Sequence, residues 1–224
     1  MDAGVIASVI AATLNAGTPL LIAAIGILIH EKSGVLNLGV EGMMLMGAVT
    51  GFGVTYATGS FALGFLAGAL AGLVMAALFG FFTLGLYANQ YAAGLALSLF
   101  GAGLSAFVGQ PLQGMALPSR APTGIPGLES IPFLGDAFFS SHCLVYLSLI
   151  GLAAVGWFLY KSRPGLMLRA VGESPSSAYA LGYNVRVIRF WAVLFGGFMS
   201  GLAGAYLSLV YTPLWAEGLS LIHI

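Results

Sequence analysis

Apolar residues in this chain come in long runs, at about 5–29, 35–57, 61–87, 91–110, 143–160 and 190–212. Each is close to the roughly 20 residues a helix needs to cross the hydrocarbon core of a bilayer. The pattern therefore predicts an all-α polytopic membrane protein with about six transmembrane helices. The second run is weak at its start, where Asn37 and Glu41 interrupt it. It reads either as a full span or as a broken, re-entrant helix. The segment 111–142 holds five of the nine prolines and reads as an irregular loop. The chain from Pro164 to Val187 is the other long polar insert.

Charge sharpens this picture. From Gly42 to Ser119, 78 consecutive residues include no Asp, Glu, Lys, Arg or His. Charged residues are 6% of the whole and hydrophobic residues 59%, where a soluble domain carries about 25% charged residues. Five of the seven Lys and Arg fall between Lys161 and Arg189. Basic loops stay on the cytoplasmic side, so 161–189 is expected to be cytoplasmic and 111–142 extracytoplasmic. Counting spans back from there puts Asn89 and Gln90 inside, Gly59 and Ser60 outside, and the N-terminus outside. Met1-Asp2 lacks the basic start of a secretory signal, so no cleavable leader is expected.

Composition also excludes functions. The formal net charge is zero, which gives no nucleic-acid signal. The single Cys143 rules out a disulfide framework or a cysteine-rich metal site. His30, His142 and His223 have no paired spacing, so no metal is expected. A phosphate-binding Gly-x-x-x-x-Gly-Lys-Ser/Thr motif would need glycines where Val155 and Tyr160 stand before Lys161-Ser162. The residues give no support to an enzyme reading, and no cofactor is expected in this chain.

Small residues recur every four positions at Gly64, Gly68, Gly72, Ala76 and Gly80, and again at Gly197, Gly201 and Ala205. In lipid, such stripes let helix backbones approach closely. They read as packing faces or as faces that slide during a transport cycle. In the stretch 34–42, Asn37 and Glu41 are four apart, on one face if the segment is helical. A carboxylate there either lines a translocation path or sits at the interface, reaching water or Lys32. The amides Asn89, Gln90, Gln110 and Gln113 lie at span ends, where amides are ordinary.

Within the basic loop, Ser174 suits a helix N-cap, Pro175 the first helical position and Gly182 the C-terminal cap. A short helix over about 175–181 follows, exposing Tyr179 between Ala178 and Ala180. It is either a free surface helix or a docking element for a cytoplasmic protein.

Three stretches carry a family resemblance: Thr18 through Gly26; Glu31 through Gly47, which contains Leu36-Asn37-Leu38-Gly39; and Arg169-Ala170-Val171-Gly172-Glu173-Ser174-Pro175 through Asn184. Together they resemble permease subunits of bacterial ABC importers. The similarity is to the nucleoside branch, which is related to simple-sugar permeases and more distantly to branched-chain amino-acid ones. The resemblance implies one permease domain over 1–224 in the bacterial inner membrane, carrying nucleosides or related small polar solutes. The alternatives are a simple-sugar ABC permease, or an ATP-independent secondary transporter or channel. It further implies a second permease subunit, a substrate-binding lipoprotein outside, and a cytoplasmic ABC ATPase that holds the ATP and Mg. The ATPase would receive the coupling helix formed by Ser174, Pro175, Ser176, Ser177, Ala178, Tyr179, Ala180, Leu181 and Gly182. Members of that group continue with further helices, so the chain is expected to be truncated at its C-terminus.

Overall fold

A computed structural model describes residues 3–118 and 142–215. Eight α-helices follow one another: α1 (Ala3–Lys32), α2 (Val40–Thr58), α3 (Phe61–Gly80), α4 (Gln90–Gly109), α5 (Cys143–Lys161), α6 (Arg163–Glu173), α7 (Pro175–Ala180) and α8 (Val185–Tyr206). Among the described residues, five of them (α1, α3, α4, α5 and α8) are long and apolar enough to cross a membrane. This makes the chain a multi-pass helical membrane protein.

The remaining long helix is α2, and the structure explains its weak signal. It spans 19 residues without a break, about 28 Å at 1.5 Å per residue, so the helix itself is not broken. It packs between α3, α4 and α8, with Met43, Met44, Ala48, Val49 and Phe52 almost fully buried. Shielded from lipid on these sides, it can be rich in Gly and Thr where a lipid-facing helix needs Leu and Ile.

Two sets of contacts define the two ends of the bundle. The turn after α1 meets the start of α4, the end of α6 and the first turns of α8, forming the end where the basic residues gather. At the opposite end the chain after α4 returns to the chain after α8. There the Leu117 N–H donates to the Pro213 carbonyl (3.0 Å) and the Trp215 N–H to the Met115 carbonyl (3.2 Å). Residues 119–141 of the proline-rich loop lie outside the described residues.

The centre of the bundle is a glycine seam. A β-carbon on Gly72 of α3 would land on the Gly197 carbonyl oxygen and 2.6 Å from the Gly201 Cα of α8. One on Gly68 would meet the Ala205 Cβ and the Gly47 carbonyl oxygen, each at 2.7 Å. One on Gly201 would strike the Gly68 carbonyl oxygen, and one on Gly197 the Ala76 Cβ. Gly64 lies against Thr55 of α2, and Gly80 against the Phe190 ring. The two small stripes visible in the sequence thus face each other, and α2 enters the same seam through Gly47 and Gly51. The backbones come close enough for dispersion to act between main chains, the force that holds helices together in lipid. The Ser208 hydroxyl adds a bond to the Ala48 carbonyl at 2.9 Å, an interhelical contact of a kind worth about 0.6 kcal/mol on average.

Both seam helices end in a π-helical turn. The Leu86 N–H reaches back five residues to the Phe81 carbonyl (3.1 Å) at the basic end. The Thr212 N–H does the same to the Leu207 carbonyl (2.8 Å) at the opposite end.

The segment between α5 and α8 departs from expectation. It is not a polar loop carrying one short helix. Most of it is α6, capped by the Ser162 hydroxyl, which accepts from the Gly165 N–H at 3.1 Å. α6 is amphipathic and buries Gly165, Leu168 and Val171. The loop also ends earlier than 189. Helix α8 begins at Val185, so Arg186 and Arg189 stand on its first two turns.

Candidate functional site

At the basic end the chain leaves α1 through a tight turn. The Ser33 hydroxyl donates to the His30 carbonyl at 2.6 Å, and Gly34 takes a φ of +79°, a conformation that excludes ordinary side chains. Ser33, Val35, Asn37 and Gly39 then point inward while Gly34, Leu36 and Leu38 point out, the two-residue alternation of an extended chain. His30, almost completely buried, binds the Val35 carbonyl through Nδ1 at 3.1 Å.

This extended turn is gripped from three helices. On α8, Arg189 donates through Nε to the Ser33 carbonyl at 3.0 Å. On α6, Gly172 lies so close that a β-carbon would strike the Lys32 carbonyl oxygen. On α4, Gln90 accepts the Leu36 N–H through Oε1 at 2.9 Å, and the Ser98 hydroxyl donates to the Leu38 carbonyl at 2.8 Å. A displacement of α6 would therefore bear directly on the α1–α2 turn and, through it, on the buried α2.

Asn37 and Glu41 do not share a helical face, because α2 starts only at Val40. Asn37 belongs to the turn. Its Oδ1 accepts from the Gly39 N–H at 2.7 Å, and its Nδ2 faces the Met43 sulfur at 3.8 Å. Asn-Leu-Gly is a favourable place for such an Asx turn, which competes with helix. Glu41, half-buried, stands in the first turn of α2, where the partial positive charge of the helix N-terminus favours a carboxylate.

Helix α7 ends as the sequence suggests. Gly182 has a φ of +87°, its N–H donates to the Tyr179 carbonyl (2.9 Å), and the Tyr183 N–H donates to the Ala178 carbonyl (3.1 Å). That double closure is a Schellman motif. Its start differs. The Ser174 hydroxyl donates to the Ser177 hydroxyl at 2.8 Å and accepts no backbone N–H. Ala178 also differs: it is buried and faces the protein rather than a partner. The outward residues are Tyr179 and Leu181, 75% and 76% exposed.

Between α6 and the end of α1 lies a cleft of about 360 Å³ bordered by Glu31, Lys32, Arg169 and Glu173. Arg169 also covers the Tyr160 ring, its guanidinium carbon 4.9 Å from the centroid. The remaining amides are structural. Asn89 caps α4, accepting from the Tyr91 and Ala92 N–H groups at 2.9 and 3.3 Å, while Gln110 and Gln113 flank a single 3₁₀ turn at the opposite end.

Sequence reasoning did not single out Arg189, Gly172 or Ser98. Arg189 served only to orient the chain, and nothing local shows which turn it reaches across 156 positions. A polar cluster nearer the opposite end was also missed. The Tyr206 hydroxyl donates to Asn15 Oδ1 at 3.2 Å, and the His142 ring stands 6.3 Å from that of Tyr206 and 6.2 Å from that of Phe65.

These features define a class: a helical membrane protein built on a glycine seam, with a rigid helical projection at its basic end linked to an interior helix. The family follows from comparison. Residues 9–222 match the permease component of branched-chain amino acid transport systems, and the chain belongs to that family. A Haloferax volcanii protein with the provisional name of glucose ABC transporter permease is 42% identical over 96% of this chain and 66% of its own length. The guanosine ABC transporter permease of Bacillus subtilis is 34% identical over 89% of this chain and 66% of its own. The nucleoside ABC transporter permease of Lactococcus lactis is 35% identical over 88% and 66%. The chain thus spans about two thirds of the length of these relatives. No solved structure matches significantly.

Proposed function

We propose that this chain is the membrane-spanning part of a permease subunit in an ATP-driven importer for nucleosides or simple sugars. Both solute classes are neutral and rich in hydroxyls, and the relatives named for glucose, guanosine and nucleosides support this range. ATP and Mg would be bound by a separate cytoplasmic ATPase. A second permease subunit and an extracytoplasmic binding lipoprotein would complete the assembly, in the inner membrane of a bacterial cell.

The observation that carries this reading is the projection of α7. A two-turn helix closed at its C-terminus presents an exposed Tyr179 and Leu181, is joined to α6, and through α6 touches the α1–α2 turn. Such a rigid element can turn a movement of a docked ATPase into a movement of the spans. Asn37, held in the turn, and Glu41, in the first turn of α2, are the two candidates to border the route. A secondary transporter would instead depend on ion-coupling acids inside the bundle, and Glu41 is the sole acid with a claim to that role among the described residues. Co-expression of the full-length permease with a candidate ABC ATPase from the same organism is the test. The two are expected to co-purify, with substrate-stimulated hydrolysis after reconstitution. Uptake in liposomes without any ATPase would favour the secondary-transporter reading.

In this reading the basic end is cytoplasmic. Single cysteines at Ser176 and Ser130, in a Cys143→Ser background, report it. In intact cells an impermeant maleimide is expected to label the Ser130 site and spare the Ser176 site. The reverse result would invert the topology.

A further inference from the structure

A second surface at the basic end has a different character. Helices α5, α6 and α8 enclose an open apolar groove of about 380 Å³. Its walls are Phe158 on α5, Met167 and Leu168 on α6, and Ile188, Trp191 and Phe195 on α8. No polar side chain lines it.

The groove is unlike the places where helices seat in this protein. Every close helix pairing in the central bundle runs over glycine. The apolar hollow between α3 and α4 mixes Ala88, Ala92, Ala93 and Ala96 with the bulkier Leu78, Phe82, Leu97 and Phe100, so small residues make up about half of its apolar lining. The walls of the α5–α6–α8 groove are bulky and uneven, with Ala192 its one small residue. Such walls suit a flexible hydrocarbon chain better than a helix backbone.

Charge supplies the second part. Of the six basic residues at this end, Lys32 borders the cleft between α1 and α6 and three are engaged within the chain. Arg169 covers Tyr160, Arg186 covers Tyr87 at 4.8 Å, and Arg189 holds Ser33. Lys161 and Arg163 are exposed, and neither has an ion pair or hydrogen bond among the described residues. Neither lines the groove itself, but each stands about one helical turn from a residue that does. Lys161 follows Phe158 by three residues on α5, and Arg163 precedes Met167 by four on α6, spacings that share a face. α6 is amphipathic and Trp191 is largely exposed, both marks of the membrane–water boundary.

We propose that this groove binds an anionic phospholipid, with an acyl chain along Phe158, Met167, Ile188 and Trp191 and the headgroup phosphate held by Lys161 and Arg163. Basic pockets between transmembrane helices recognise lipid headgroups in this manner. The bound lipid would brace α6 against α5 and α8, and α6 is the element that connects α7 to the α1–α2 turn. The inference depends on the basic end lying at the membrane boundary, not on the nature of the transported solute or the presence of an ATPase.

Trp191 in the groove wall provides the readout. The full-length protein carrying Trp157→Phe is placed in vesicles of dioleoyl lipid containing increasing fractions of phosphatidylglycerol or phosphatidylcholine brominated on the acyl chains. Trp215 is buried and contributes a constant background. Any tryptophans in the rest of the full-length chain are removed by a matched Trp191→Phe control. Quenching of Trp191 is expected to reach half its limit at a mole fraction of phosphatidylglycerol about tenfold lower than of phosphatidylcholine. Lys161→Gln with Arg163→Gln is expected to erase that preference while the quenching limit stays unchanged. Ala192→Leu, which fills the groove floor, is expected to lower the limit for both lipids. Equal quenching by the two lipids in the unsubstituted groove would overturn the proposal, showing a non-selective lipid face. Absence of quenching by either lipid would overturn it too, showing a groove filled by protein, whether from elsewhere in this chain or from a partner subunit.

Discussion

Replacing Gly72 with leucine is expected to lower the yield of folded, monodisperse protein at least tenfold, while Leu70→Phe leaves it nearly unchanged. At Gly72 a single added carbon already overlaps the Gly197 carbonyl oxygen and lies 2.6 Å from the Gly201 Cα. These are backbone atoms of a buried helix and cannot turn aside as a side chain would. Overpacking a core costs about 1–3 kcal/mol even when side chains can yield, so about 3 kcal/mol or more is expected where α3 and α8 must separate. Leu70, two residues away, is 48% exposed on the outer surface of α3 and has room for a larger ring. Size-exclusion profiles after detergent extraction of the full-length variants measure the effect. Equal profiles for Gly72→Leu and Leu70→Phe would show that the seam can open at little cost.

The second large effect is expected at Tyr179. Converting it to aspartate removes an aromatic anchor from the projecting face of α7 and places a charge where a docked partner would exclude water. Aromatic residues concentrate binding energy at such contacts, and an unpaired buried charge is strongly unfavourable. A loss of about 2–4 kcal/mol is expected, roughly 30- to 1000-fold in ATPase affinity. Membrane insertion should be unaffected, because Tyr179 is 75% exposed and its removal leaves the Schellman closure of the helix intact. Leu181→Asp is expected to act in the same direction, whereas Ala178→Asp should impair folding itself, since Ala178 is buried. The measurements are ATPase co-purification and substrate-stimulated hydrolysis with the full-length permease. Normal values for both Tyr179→Asp and Leu181→Asp would place the docking element elsewhere.

Much of the architecture was legible in the sequence, for physical reasons. Lipid-facing helices must be apolar along their length, so α1, α3, α4, α5 and α8 announce themselves. A four-residue glycine period marks a face of close approach, which revealed the stripes of α3 and α8. It does not say which stripe meets which, and the part played by Gly47 and Gly51 of α2 depends on a three-helix arrangement that local spacing cannot encode. Gly182 was readable because the left-handed conformation that closes a helix has few other occupants. Helix α6 was not, because Arg163, Arg169 and Glu173 make it resemble a polar loop; its capping Ser162 and inward Leu168 and Val171 were the overlooked signals. The shared face of Asn37 and Glu41 held only if 34–42 were helical, and spacing could not decide that; the Asn37 side chain folds the chain into a turn just before α2 begins.

The seclusion of α2 has a consequence for how the protein is made. A span that faces neighbours rather than lipid gains little from entering the bilayer alone, and its Gly47–Gly51 surface fits α8, which is synthesised more than a hundred residues later. At roughly 5–20 residues per second, the ribosome leaves α2 without that companion for on the order of ten seconds. During this interval α3, joined to α2 by the short connection at Gly59 and Ser60 and carrying its own glycines, is the neighbour available to hold it. The α2–α3 hairpin is then expected to be the earliest stable unit in biogenesis, with the seam closing when α8 arrives.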